Sequence, residues 1–301
     1  MISRTSAPRL GASLRQSLAF VGSTFCGSTI GSLYEFVGSG NYYTETTGYV
    51  NLGYWAGART LDEASQALAG LLARTARLQP GDEVLDVGFG FGDQDLFWFQ
   101  HFAPRRITAI NVVPLQVRAA HRRVERAGLT HDIRLQLASA TELPFAEQSF
   151  DKVLALECAF HFETRATFFS EAMRVLRPGG TLVTCDLIAA GPRRTDVKRR
   201  LIDRVHCRLW RIPRANMYDR HEYAHALTRA GYANVRVESI AADVFEPYLR
   251  FCEFFARGET GRRLNPLLRV GPGAMRRLGW FDQYDYVLAR ADKAMCAGPT
   301  G

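Results

Sequence analysis

The sequence predicts an α/β fold in which a seven-stranded, mostly parallel sheet carries helices on both faces. Short apolar segments typical of buried strands alternate with helical patterns between residues 83 and 187. Three glycines follow the first strand, and the last strand comes only after a long helical region. Such alternation indicates a parallel sheet, so we expect a ligand at the carboxyl ends of its strands.

The strands are expected at 83–87, 106–111, 133–138, 151–156, 180–187, 234–238 and 283–290. Helices are expected near 93–103, 114–128 and 164–177, and further helices begin after the capping residues Thr60 and Asp219. Residues 176–180 predict a turn, because Pro178 stops the preceding helix and two glycines follow it. Residues 192–218 read as a basic helical insert.

Composition narrows the class of protein. The chain has 301 residues and 47% hydrophobic content, which is enough for one large α/β domain with additions, or for two small domains. The net charge is +8, but the basic residues are spread along the chain and are almost all arginine, so charge does not indicate nucleic-acid binding. Six cysteines without a C-x-x-C pair predict a reducing, cytoplasmic setting.

The first 34 residues differ from the rest of the chain. They contain three arginines and no acidic residue, a composition that overlaps with organellar targeting peptides. A helical stripe favours instead an N-terminal helical arm for self-association or peripheral membrane contact. The stripe consists of Leu14, Leu18, Val21 and Phe25.

A glycine-rich turn organises the core. Asp86 ends the first strand, and Gly88, Gly90 and Gly92 follow in a G-x-G-x-G spacing, which differs from the G-x-G-x-x-G of dinucleotide folds. A carboxylate at this position suits the ammonium group of S-adenosylmethionine, which carries no phosphate. We therefore expect this turn to bind S-adenosyl-L-methionine.

Polar residues follow the next strands at positions suited to the rest of that cofactor. Asn111, with Gln116 beyond it, is placed for the ribose hydroxyls, where an acid is the usual residue. Ser139 and Ala140 are placed for the adenine, and Glu157 ends the fourth strand beside the cofactor.

His161 is the predicted catalytic residue. It follows the fourth strand and lies between Phe160 and Phe162. Transfer of a methyl group to a hydroxyl requires removal of a proton, and a positioned histidine can supply that base. We expect a nearby carboxylate such as Glu157 to keep its pKa near neutrality.

Aromatic residues predict the acceptor pocket. Residues 41–55 contain four tyrosines and a tryptophan, as a lid or ligand cover would. The predicted pocket residues are Tyr49, Tyr54, Trp55, Phe160, Phe162, Phe245 and Tyr248.

One further motif is typical of zinc binding. Residues 221–225 match the H-E-x-x-H pattern of zinc proteases, in which two histidines share a helix face. No third ligand is evident, and the pattern lies on a late helix of the α/β sheet, so we predict no metal site.

Together these motifs resemble the class I S-adenosylmethionine-dependent methyltransferases, and among them small-molecule enzymes of the erythromycin 3″-O-methyltransferase type. The matching stretches are 49–55, 83–92, 140–145, 156–161, 174–180 and 244–248. Asn111 and the Ala-Ser-Ala sequence at 138–140 depart from the common pattern. The resemblance implies that His161 is the base and that Asp86, Gly88, Gly90, Asn111, Ser139 and Ala140 bind the cofactor.

We therefore expect O-methylation of a small, fairly apolar polyketide, glycoside or lipid-like acceptor. The alternatives are C-methylation of an isoprenoid and a non-catalytic cofactor-binding scaffold. The expected units are an arm and aromatic cover at 1–55, a Rossmann-like core at 56–190, a helical cap at 191–280 with a strand at 233–238, and a last strand and tail at 281–301.

Overall fold

The structure is a computed structural model. It describes residues 43–191 and 207–295, together with the isolated positions Gly31 and Arg204. The predicted helical arm and most of the predicted basic insert lie outside the described residues.

The described chain forms the predicted seven-stranded sheet. Its strands are β1 Glu83–Val87, β2 Arg106–Asn111, β3 Ile133–Leu137, β4 Phe150–Leu156, β5 Leu176–Ala189, β6 Ala233–Ser239 and β7 Tyr284–Asp292. Their order across the sheet is β3-β2-β1-β4-β5-β7-β6, and β7 is antiparallel to both of its neighbours. The Rossmann-like prediction is therefore confirmed, and β1 and β4 are adjacent at the centre of the sheet.

Seven α-helices lie wholly within the described residues: α1 Leu61–Ala76, α2 Asp93–Phe102, α3 Pro114–Arg126, α4 Arg165–Val175, α5 Arg220–Arg229, α6 Phe245–Arg257 and α7 Pro266–Arg277. Thr60 and Asp219 each form a capping box with a glutamate three residues later, which satisfies free N–H groups of α1 and α5. None of the helices in these two ranges is both long and apolar enough to cross a bilayer.

The start of β5 differs from the prediction. Residues 176–180 were expected to form a turn, but the strand begins at Leu176, which pairs with Phe150 before a register irregularity in β4. Helix α4 does end at Val175, as Pro178 predicts. The next pair between β4 and β5 is Lys152 with Thr181, so β5 bulges between its two pairings with β4, and Gly179, at φ 80°, lies in this bulge.

The core lies on both faces of the sheet. Helices α1, α2 and α3 contribute Leu68, Trp98 and Val117 to one buried cluster. Helices α4 and α5 contribute Phe168 and Tyr223 to the cluster on the opposite face. Because side chains of central strands are buried on both faces, only the carboxyl edge of the sheet is left for a ligand.

Candidate active site

A cleft opens at the carboxyl ends of β1, β2 and β4. Its empty volume, counted to the open mouth, is about 950 Å³. The lining residues come from within segments 50–51, 87–94, 110–116, 138–141 and 156–163. The structure thus brings together, on one cleft, residues from most of the sequence segments predicted to form the site.

The three glycines of the turn have different tasks. All three have positive φ, which side chains with a Cβ rarely adopt. A Cβ on Gly88 would lie 2.7 Å from Cys158, so this glycine allows β1 to pack against the end of β4. A Cβ on Gly90 would meet only Val50, at 3.5 Å, and Gly90 lines the cleft. Gly92 is the N-cap of α2.

Asp86 lies behind the cleft wall. It is fully buried, and its Oδ2 accepts a hydrogen bond of 2.9 Å from Nε2 of Gln94, which does line the cleft. Its Oδ1 and both carboxyl oxygens of the adjacent, buried Asp95 have no donor among the described residues. Burial raises the pKa of Asp86 to about 7 and the pKa of Asp95 well above its usual value. We infer that the two carboxyls share a proton.

Asn111 and Gln116 form one polar wall. Oδ1 of Asn111 accepts from the backbone N–H of Val113 at 3.1 Å, and its Nδ2 donates to Oε1 of Gln116 at 2.9 Å. These bonds fix the orientation of both amides. Nε2 of Gln116 is buried in the cleft wall without an acceptor among the described residues. A ligand with acceptor oxygens would satisfy this donor.

Ser139, Ala140 and Thr141 close the far side of the cleft. The Ser139 hydroxyl lies 2.9 Å from that of Thr141 and accepts from the Thr141 N–H at 3.2 Å. These local bonds hold the loop after β3, which places Ala140 on the wall.

Glu157 occupies a strained position at the end of β4. Its φ is 53°, in the left-handed region that residues other than glycine seldom adopt. Its Oε2 accepts from the Leu52 N–H at 2.9 Å and from the Tyr286 hydroxyl at 2.6 Å. Burial raises the pKa of Glu157 to about 7 although both of these bonds lower it. Neither partner was predicted, because both are distant from Glu157 in sequence.

His161 ends a short 3₁₀ turn, Ala159–His161, and lines the cleft four residues after Glu157. Its Nδ1 lies 3.4 Å from the carbonyl oxygen of Arg211. A carbonyl can only accept, so the ring nitrogen at this contact is a donor, and the backbone of Trp210 is a second hydrogen-bond partner of the ring.

The electrostatics of His161 differ from the expectation. Burial, together with the charges of the nearby Arg165 and Arg211, lowers its pKa to about 3, although hydrogen bonds to the backbone of Arg211 and Trp210 raise it. The prediction that Glu157 would hold this pKa near neutrality is therefore wrong. The Glu157 carboxyl bonds instead to Leu52 and Tyr286, and its own raised pKa reduces its negative charge at neutral pH.

The predicted aromatic pocket residues are distributed over several environments. Phe162 lines the cleft, whereas Phe160 packs behind it against Cys207 and Ile212. Val50 and Asn51 are the residues of the aromatic segment that line the cleft.

The remaining predicted pocket residues do not line this cleft. Trp55 packs on Phe251, Phe245 stacks on Phe281, Tyr248 contacts Tyr43, and Tyr49 and Tyr54 pack in or against the core.

The H-E-x-x-H residues serve the helix. His221 and His225 are exposed on α5, and the Glu222 carboxylate accepts from the backbone N–H of Asp219 in the capping box. Within 43–191 and 207–295, no group of three or more potential ligands is placed to hold a metal ion.

The chain is similar to known proteins both in sequence and in fold. A family model described as a methyltransferase domain matches residues 85–184. Erythromycin 3″-O-methyltransferase of Saccharopolyspora erythraea is 40% identical over 222 residues, which cover 72% of each chain. The 27-O-demethylrifamycin SV methyltransferase of Amycolatopsis mediterranei is 36% identical over 140 residues, which cover 45% of this chain and 50% of that protein.

Solved structures share the fold at low identity. A putative sarcosine dimethylglycine methyltransferase from Galdieria sulphuraria has a TM-score of 0.70 at 20% identity, covering 87% of this chain and 97% of that one. The [4+2]-cyclase SpnF has a TM-score of 0.67 at 20% identity, covering 97% and 100%. Because these proteins have different activities, the likeness shows the fold alone.

Proposed function

Since this chain belongs to the S-adenosylmethionine-dependent methyltransferases, we propose that it transfers a methyl group to a hydroxyl of a small natural product, with His161 as general base. One observation carries the proposal. His161 and the glycine turn line the same cleft, so the candidate base lies beside the candidate cofactor site.

The described residues fit S-adenosylmethionine. The unsatisfied Nε2 of Gln116 and the amide of Asn111 suit the ribose hydroxyls, and the Ser139–Ala140 loop suits the adenine. Gly88 and Gly90 suit the methionine end, which carries an ammonium group. Asp86 acts there through Gln94, since Gln94 donates to it and lines the cleft. When bound, this cofactor supplies an electrophilic methyl group.

His161 would hold the proton of the acceptor. With its pKa lowered to about 3, the imidazole is neutral at pH 7. A neutral imidazole can accept a hydrogen bond from the hydroxyl of the acceptor. The proton of that hydroxyl becomes strongly acidic as its oxygen gains a methyl group, so even a weakly basic imidazole can take it.

Charge in the cleft favours a neutral or cationic acceptor. Glu157 and Glu163 line it, and the described lining contains no lysine or arginine. An isoprenoid diphosphate would bring several negative charges towards these carboxyls. The relatives named for erythromycin and rifamycin support hydroxylated natural products as acceptors. We therefore favour O-methylation over C-methylation of an isoprenoid.

The decisive experiment replaces His161 with alanine. Macrolide glycosides, other polyketides and hydroxylated lipids are screened first, with geranyl diphosphate plus Mg²⁺ as the competing arm. For the accepted substrate, His161→Ala should lower kcat by roughly 10²–10⁴-fold with cofactor affinity nearly unchanged.

The matched control is His225→Ala, which removes an exposed histidine on α5 and should leave kcat unchanged. Wild-type turnover by His161→Ala would exclude the base role. If geranyl diphosphate were the only substrate methylated, the proposal of O-methylation would be wrong and C-methylation would take its place.

We further propose that the enzyme works in the cytoplasm and that residues 1–34 mediate self-association or peripheral membrane contact. The apolar stripe predicted for residues 1–34 supports the proposed association or membrane contact. Deletion of residues 1–34 should change either the mass measured by light scattering or flotation with vesicles. If neither changes, the arm has no such role.

A further inference from the structure

Residues 207–217, here called the covering segment, pack against the turn that carries His161. Cys207 and Ile212 form a buried cluster with Phe160, and Trp210 and Met217 pack against that cluster. The carbonyl of Arg211 contacts the imidazole of His161. The covering segment therefore touches both the catalytic side chain and the residue before it.

Asn216 makes the polar contacts of this segment. It is 1% exposed, and its Nδ2 donates to the carbonyl oxygens of Phe160 at 3.2 Å and of Phe162 at 2.6 Å. Its Oδ1 accepts from the backbone N–H of Arg165 at 2.8 Å. One side chain thus bonds to the backbone on both sides of His161 and to the first residue of α4.

A buried ion pair supports the same turn from behind. Arg165 and Asp186 are both fully buried, with Nε and Oδ2 2.7 Å apart. Oδ1 of Asp186 accepts from the Phe160 N–H at 3.1 Å, and Arg165 also donates to the backbone carbonyl of Asn216. The peptide groups of Phe160 are therefore held at the N–H by Asp186 and at the carbonyl by Asn216.

We propose that Asn216 is a positioning residue that fixes His161 by bonding to the carbonyl oxygens on both sides of it. This inference rests on the proposed function of His161 as the base. A 3₁₀ turn of three residues has little internal hydrogen bonding, so external partners must determine its position. A displacement of about 1 Å at a catalytic group can lower the rate on the order of 100-fold.

The test follows the imidazole of His161 by NMR in full-length protein with labelled histidine. Comparison with His161→Gln assigns its signal. In the wild type, the signal should not titrate between pH 5 and pH 9, since the lowered pKa of this half-buried ring keeps it neutral. In Asn216→Ala the turn loosens and water reaches the ring, so its pKa should rise towards the ordinary value of about 6.5 and the signal should titrate.

Two further variants keep the test decisive. Asn216→Asp preserves size and the acceptor for the Arg165 N–H but removes both donors, so it should give the same titration even if Asn216→Ala does not fold. Asn265→Ala removes another fully buried asparagine, before α7 and outside the cleft, and should leave the His161 signal as in the wild type.

Turnover separates this inference from the proposed function. With the accepted substrate, Asn216→Asp should lower kcat about 10- to 100-fold without changing cofactor affinity. A folded Asn216→Asp protein with an unchanged His161 signal would overturn the inference. Full activity of His161→Ala would overturn the base role instead, whatever the Asn216 variants show.

Discussion

The two sides of the cleft are built in different ways. The glycine turn is a contiguous β1–α2 unit, in which Val87, Gly88, Gly90 and Gln94 line the cleft. The His161 turn is held by Asp186, Arg211 and Asn216, which are 25 to 55 residues further along the chain. The glycine turn is therefore one contiguous segment, whereas the His161 turn depends on buried polar contacts with distant segments.

The strongest way to test this contrast is to break the buried ion pair. Asp186→Asn leaves the Arg165 guanidinium buried without a countercharge, which should lower the free energy of unfolding by about 3–5 kcal/mol. Denaturant unfolding measures the loss. At low denaturant the folded protein should still bind the cofactor, because the glycine turn shares none of these contacts.

Glu246→Gln is the matched control. It removes an exposed carboxylate that pairs with Arg250 and Arg276, so the loss should stay below about 1 kcal/mol. If the two variants lost the same unfolding free energy, the buried ion pair behind His161 would be no more important to stability than a surface pair, contrary to this prediction.

Gly90→Arg tests the glycine turn. Gly90 lines the cleft, so an arginine there would fill the space of the ligand and impose a strained φ of 57°. Calorimetric titration should show cofactor affinity at least about 100-fold weaker, equivalent to roughly 2.7 kcal/mol. Gly191→Arg places the same side chain where a Cβ meets nothing within 4 Å and should bind normally. Unaltered cofactor affinity in Gly90→Arg would show that the cofactor does not bind at the glycine turn.

The same contrast explains what could be predicted from the sequence. The strands and the glycine turn follow from local patterns, which one chain segment displays by itself. The partners of Glu157 and His161 do not, since Leu52, Tyr286, Arg211 and Asn216 approach only when the fold forms.

One signal was available for the missed network. Asp186 is the one charged residue in the mostly apolar segment 182–189 of β5, and a charge there predicts a buried partner such as Arg165. The lowered pKa of His161 was missed for a related reason. Burial by the covering segment depends on tertiary packing, whereas the sequence showed only the nearby Glu157.

The last prediction concerns the buried carboxyl pair beneath the glycine turn. The pKa of Asp86 rises from 3.8 to about 7 on folding, so the folded protein binds more protons than the unfolded chain between these values. Its contribution to stability is therefore present below about pH 4 and is lost as the pH rises through about 7. Glu157 acts in the same direction, and His161, with its lowered pKa, acts in the opposite one. The contribution of Asp86 is therefore obtained only by comparing the unfolding free energy of a variant with that of the wild type.

Asp86→Asn should remove this contribution, so its advantage in unfolding free energy over the wild type should grow between pH 4 and pH 7. Asp95→Asn should show a growing advantage of the same kind, because the pKa of Asp95 is also raised on folding and an asparagine takes up no proton. Thermal unfolding of both variants across this pH range checks the assignment. If neither variant flattens the pH dependence, the buried pair takes up no proton on folding and the assignment is wrong.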